Sequence, residues 1–255
     1  MLVDPTENIR VLARCLDLTS LNDDETEASI EQLCARAREP GKGLPPVAAV
    51  CVYPAFVGWA RRALARSGVL VACATGAFPT GSLPTDERVA QIRTALEAGA
   101  QEIDTVLDHR AFLVDREEVV RQQLVASRSA CGGTTMKVIL ETGLLPDASA
   151  VLRAAQLAIE AGADFVKTST GKVARGATPN AFRAMCETAR RSERPIGVKV
   201  SGGVRTTDDA LAYLSIVEEV LGKGWLDPSR FRIGASSLLG DLLLHLSDPP
   251  LDAPG

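Results

Sequence analysis

The stretch Ala163–Lys172 reads ADFVKTSTGK, and the fold can be read outward from it. It begins on the last residue of EAGA (160–163) and runs directly into a short apolar strand. A glycine after a helical run lets the chain leave the helix, so a strand can start within a few residues. The same four residues stand at 97–100, ahead of QEIDTV, as a faint internal repeat. Helix-to-strand joints of this kind belong to βαβ units, whose crossovers make the strands parallel. Within the stretch, Val166 and Thr168 suit a helix-covered face, so Lys167 points the other way. A cation buried there needs a partner or a shifted protonation equilibrium.

Seven more strand-like runs surround this one, at 15–21, 47–53, 69–76, 102–108, 136–142, 196–202 and 230–236. Helical spacing fills the gaps: Val89, Ile92 and Leu96 within 84–98, a second stretch over 148–161, and Ala210, Leu211, Leu214, Val217 and Leu221 within 207–221. Eight such units in 255 residues predict a (β/α)8 TIM barrel, an α/β fold, as a single domain over residues 1–255. A short N-terminal extension precedes the first strand, and the tail 247–255, SDPPLDAPG, reads as poorly ordered and flexible. An open doubly wound sheet would want a G-x-G-x-x-G turn after an early strand, and the chain has none.

Composition narrows the function. A net charge of −4 offers no electrostatic footprint for nucleic acid, and 4% aromatic residues leave few platforms for stacking bases. The N-terminus, MLVDPTENIRVLARCLDL, lacks the apolar core of a secretory leader, and the longest apolar run, 47–60, is broken by Pro54. The expectation is a cytoplasmic protein with no nucleic-acid or membrane partner. Cys15, Cys34, Cys51, Cys73, Cys131 and Cys186 are widely spaced and read as free thiols. His109 and His245 lie far apart, so no metal site is expected.

Strand alternation carries the chemistry. In GVKVS, Val198 and Val200 face the helices and Lys199 faces in. In MKVILE, Val138 and Leu140 face out, leaving Lys137 and Glu141 inside. In EIDTV, Ile103 and Thr105 face out and Asp104 in. Neighbouring strands then place Asp104, Lys137, Lys167 and Lys199 along one arc, with Asp17 across the barrel. A lysine crowded by a second cation in a low-dielectric pocket favours its amine form and becomes a nucleophile. Buried ion pairs without function are the plainer alternative, but three inward lysines on adjacent strands weigh against it. At one barrel end stand Thr170-Gly171-Lys172, Ser201-Gly202-Gly203 and Gly234-Ala235-Ser236-Ser237, where small residues and a helix N-terminus can cradle an anion. The site should take a phosphorylated small molecule, with an amine placed to attack a carbonyl.

These motifs resemble, in order, those of the deoxyribose-phosphate aldolase family: CLDLTSLNDDET, AVCVYP, EIDTV, KVILETG, ADFVKTSTGK, GVKVSGGVRT and FRIGASSLL. The resemblance runs from about Leu12 to Leu244. It implies a cofactor-free, metal-independent class I aldolase that cleaves 2-deoxy-D-ribose 5-phosphate to D-glyceraldehyde 3-phosphate and acetaldehyde, reversibly, in deoxyribonucleotide catabolism. By motif it makes Lys167 the Schiff-base lysine and Lys199 the lysine that lowers its pKa. Asp104 is the carboxylate of the proton relay, and Asp17 a further acid. Thr170, Gly171, Lys172, Gly202, Gly203, Ser236 and Ser237 fall on the substrate and phosphate positions. Lys137 reads as a salt-bridge partner of Asp104 or Glu141, Cys51 as packing, and His109 as a surface or rim residue. The tail carries no aromatic residue, unlike members that end in a tyrosine reaching the site. Family members are often dimers, so a homodimer is the assembly to test. Another class I aldolase, a transaldolase, or a sugar-phosphate binder without turnover are the competing functions.

Overall fold

The computed structural model describes residues 5–246, so the tail 247–255 lies outside the described residues. Helix α1 (Pro5–Arg14) leads into β1 (Leu16–Thr19), α2 (Glu27–Arg38), β2 (Ala49–Val52), α3 (Val57–Ala63), β3 (Leu70–Thr75) and α4 (Thr85–Glu97). Then come β4 (Glu102–Val106), α5 (His109–Leu113), α6 (Glu117–Cys131), β5 (Thr135–Ile139), α7 (Ala148–Glu160), β6 (Phe165–Lys167) and α8 (Pro179–Arg191). The chain continues with β7 (Gly197–Ser201), α9 (Thr207–Leu221), β8 (Phe231–Ala235) and α10 (Leu238–His245). The strands pair in sequence order, all parallel, and β8 closes onto β1. This is the TIM barrel the rhythm predicts, with α1 as the N-terminal extension packed on α9 and α10.

Local chemistry sets the joints. Gly99 and Gly162 take φ of +103° and +97° where α4 and α7 stop, a region glycine enters without a Cβ clash. Thr206 caps α9 in a capping box with Asp209, and Thr178 caps α8 ahead of Pro179. Each cap satisfies helix N–H groups that otherwise lack a partner.

The two strand faces bury different things. Val50, Val71, Ile103, Val138, Val166, Val198 and Ile233 pack outward into the helix layer, in one core. Fully burying each such side chain stabilises the fold by about 1.5–3 kcal/mol. Inside the barrel, β2 and β3 contribute Ala49, Cys51, Ala72 and Ala74, a small apolar wall of its own. The remaining strands fill the other side with charge. Register aligns Asp104 with Lys137, Lys167 with Lys199, Lys199 with Arg232 and Asp17 with Gly234. Gly197 leaves room for the Phe165 ring, since a Cβ there would lie 2.3 Å from it.

Candidate active site

Seven charged side chains meet inside the barrel. Lys137 Nζ donates to Glu102 at 2.6 Å and to Asp104 Oδ1 at 2.8 Å. Asp104 Oδ2 takes both Lys167, at 2.9 Å, and Lys199, at 2.8 Å. Lys199 also donates to Asp17 Oδ2. Arg232 closes the ring, with Asp17 Oδ1 at 2.6 Å and Glu102 Oε1 at 2.8 Å. Asp17, Asp104, Lys137, Lys167 and Lys199 are therefore brought together as the alternation requires. Arg232 and Glu102 are added to this set by the structure. Glu102 sits two residues before Asp104 on the same face, and Arg232 lies between outward Phe231 and Ile233. Alternation points both inward, but a charge at or near a strand's start also reads as a solvated end.

Lys137 is a salt-bridge partner of Asp104, the first of the two expected, and its other close partner is Glu102. Glu141 is buried, near enough to Lys167 to feel its charge, and accepts from Thr170 Oγ1 at 2.5 Å. It stands past the end of β5, where the strand's alternation no longer governs its direction. His109 is not a surface residue: it is buried at the start of α5, just past the end of β4, and its Nδ1 finds no partner among the described residues. Burial pushes its pKa down.

Pairing decides the ionisation states. Burial alone would raise the carboxyl pKa values of Asp17 and Asp104, but the adjacent cations outweigh it and hold both below the ordinary range. Burial likewise opposes the charge on Lys199, Lys137 and Arg232, and the carboxylates reverse it, so all three are raised. Glu141 has no such cation in contact, and its burial lifts it. The stability that Asp17 and Asp104 contribute is full above the ordinary carboxyl pKa of about 4 and is lost as the pH falls below it. Glu141 works in the opposite sense, as one group against two. The urea midpoint should therefore drop steeply between about pH 5 and pH 2; a flat midpoint over that range would contradict the linkage.

Above this floor lies a cavity of about 220 Å³ at the C-terminal strand ends. Lys167 lines it; Lys137, Lys199 and Asp104 do not. Thr170, Gly171 and Lys172 line it from the loop after β6, Gly202 and Gly203 from the loop after β7, and Ser236 and Ser237 from the start of α10. All seven expected phosphate positions thus share one space with Lys167. Gly202 and Gly203 hold φ of +85° and +95°, and a Cβ on Gly202 would meet Ser169 Cβ at 3.1 Å. Ser237 precedes α10 without a side-chain cap, so the first N–H groups of that helix stay available to an anion. Arg205 and Asn22 also line the cavity. Arg205 stands in the GGVRT phrase, two residues past Gly203, and the structure adds it to the expected set. Cys51 belongs to the small apolar wall, and burial, with Asp104 nearby, raises its thiol pKa, as suits packing. All six cysteines are free and buried.

Among the described residues no three His, Cys, Asp or Glu are placed to hold a metal ion. No described helix is long and apolar enough to cross a membrane.

Comparison with known proteins adds the family. The DeoC/LacD family aldolase model matches residues 11–239. A candidate deoxyribose-phosphate aldolase from Coccidioides immitis is 32% identical, with a TM-score of 0.79, over 91% of this chain and 85% of that one. One from Toxoplasma gondii ME49 is 29% identical, TM-score 0.86, over 95% and 98%. The deoxyribose phosphate aldolase of Aeropyrum pernix, a tetramer, is 26% identical, TM-score 0.76, over 96% and 97%.

Proposed function

The chain belongs to the DeoC/LacD family of aldolases, and on that footing we propose that it cleaves 2-deoxy-D-ribose 5-phosphate to D-glyceraldehyde 3-phosphate and acetaldehyde, reversibly, through a Schiff base on Lys167. The supporting observation is positional. Of the three lysines in the floor, Lys167 is the one that lines the cavity, and the anion cradle lines the same cavity.

The chemistry follows from this placement. The free amine of Lys167 adds to the C1 aldehyde of the open-chain sugar, and loss of water gives an iminium. The iminium draws electrons as the C2–C3 bond breaks, leaving an enamine on Lys167 and an aldehyde at C3. Asp104, with Lys199 and through a water, takes the 3-hydroxyl proton and later returns a proton to C2. Hydrolysis frees acetaldehyde and restores the amine. Asp17 holds Lys199 and Arg232 in place.

Lys172, Gly171, Gly202, Gly203, Ser236 and Ser237, with Thr170, take the phosphate. Replacing Lys172 with alanine should raise KM for the phosphorylated sugar by about ten-fold or more and leave kcat within about three-fold, because the contact serves ground and transition states alike. An equal fall in kcat would place Lys172 in the chemistry instead.

The test of the reaction is borohydride reduction in the presence of deoxyribose 5-phosphate or acetaldehyde, with the adduct mapped by mass spectrometry. An adduct on the Lys167 peptide with turnover of the deoxysugar supports the proposal. An adduct on Lys137 or Lys199 moves the nucleophile. Phosphate binding with no adduct replaces the proposal with a sugar-phosphate binder. Cytoplasmic residence, a homodimer and a place in deoxyribonucleotide catabolism belong to the same proposal.

A further inference from the structure

Glu141 has no step in the reaction proposed above, yet it is fully buried at the catalytic end of the barrel. Its backbone is left-handed, with φ and ψ of 54°. A side chain with a Cβ is disfavoured there and persists only where its surroundings hold it. The surroundings are specific. Past Glu141 the chain makes a 3-10 turn, Thr142–Leu144, and Thr142 N–H donates to Thr168 O at 2.9 Å. Gly143 in that turn lies so close to the loop after β6 that a Cβ would stand 1.8 Å from Arg175 O. The Glu141 carboxylate completes the clamp. It accepts from Thr170 Oγ1 at 2.5 Å and from Thr170 N at 3.3 Å.

The consequence passes through one hydroxyl. Thr170 Oγ1 has a single proton, and Glu141 accepts it. A lone pair of the same oxygen then faces Lys172 N–H, which donates to it at 3.1 Å. So the carboxylate sets the hydroxyl, and the hydroxyl sets the turn that carries Gly171 and Lys172 into the cavity. An anionic acceptor suits this task, because it takes an O–H and an N–H at once and offers no competing donor.

We infer that Glu141 is a positioning residue for phosphate recognition, holding the Thr170–Lys172 turn in the shape that meets the phosphate end of the substrate. The identity of that substrate rests on the proposed aldolase function; the role of Glu141 in anion binding does not.

The experiment compares wild type with Glu141→Gly and Glu141→Gln. Glycine suits the left-handed backbone and removes the carboxylate, while glutamine keeps one acceptor oxygen at the same reach. The first readout is the affinity for inorganic phosphate by titration calorimetry. We expect E141G to bind about ten-fold more weakly and E141Q to fall between it and wild type. The second readout is kinetic. KM for deoxyribose 5-phosphate should rise in the same order with kcat within about two-fold, and kcat/KM for unphosphorylated deoxyribose should hold within about two-fold. The acetaldehyde adduct at Lys167 should form as in wild type. Unchanged phosphate affinity in both variants would overturn the inference, as would an equal loss on phosphorylated and unphosphorylated substrates. Wild-type protein that binds no phosphate would overturn it too, and a Lys167 adduct in that same sample would show that the aldol chemistry stands without it. Phosphate binding with the expected order but no adduct would leave Glu141 in its role and remove the aldolase proposal.

Discussion

Lys167→Met should lose the borohydride-trapped adduct entirely and lower kcat for deoxyribose 5-phosphate by about four orders of magnitude or more, while the protein stays folded. Activity falls because, among the described residues, no other amine lines the cavity from the floor: Lys137 and Lys199 lie outside its lining, each held by two close carboxylates. Stability should not fall with it. The Lys167 side chain is 3% exposed and has one carboxylate contact, Asp104 Oδ2, which Lys199 also uses. Methionine is one heavy atom shorter, removes a fourth cation from a site with three carboxylates, and avoids a desolvation cost. Replacing a poorly compensated buried charge with an apolar side chain is neutral or stabilising, here by up to about 2 kcal/mol. Thermal melts and single-turnover trapping on the same preparation check both halves. A variant that unfolds, or one that still forms an adduct, would show that Lys167 is part of the fold's ion-pair frame and not its reactive edge.

The barrel was legible because every level of the sequence agreed. The EAGA joints, the outward valine beside each inward lysine and the eight-fold count of strands all called for the same closed parallel sheet, and the sheet closes in sequence order. The lysines were legible for the same reason: a charge between two outward-facing residues in a short strand has nowhere else to point. Arg232 and Glu102 were less visible because they lie at or next to the first residue of their strands, where a charge is usually solvated. Here the floor of the barrel covers them, with Phe165 beneath the Arg232 guanidinium at 5.9 Å. The partner of Glu141 is not legible because alternation holds only while the strand lasts. Once the chain leaves β5 in a left-handed conformation, its side chain answers to Thr170 on the next loop, a contact between residues 29 apart that no period encodes.

Asp104→Asn should harm both fold and function, and the pH can separate the two. Asp104 is the shared partner of Lys137, Lys167 and Lys199, so its loss leaves four cations to two carboxylates. The asparagine amide would also turn a donor toward ammonium groups that have only donors. Breaking a buried pair from one side costs about 3–5 kcal/mol, because the charge left behind stays desolvated. The remaining lysines can relieve this by releasing protons, and in the variant their folded pKa values would fall below the unfolded value of about 10.4. The unfolded state then binds more protons than the native state, so stability rises with pH. D104N should therefore be weak at neutral pH and recover part of its urea midpoint toward about pH 9–10, where the wild type gains nothing. Turnover behaves differently. Asp104 is the proposed carboxylate of the proton relay, so kcat should stay down by about two to four orders of magnitude even at the pH where the fold recovers. Lys167 keeps its place on β6, so acetaldehyde should still leave an adduct there at high pH. Recovery of kcat in step with stability would reduce Asp104 to a counter-ion. A deficit in kcat that persists in a refolded, trappable protein would assign it the proton.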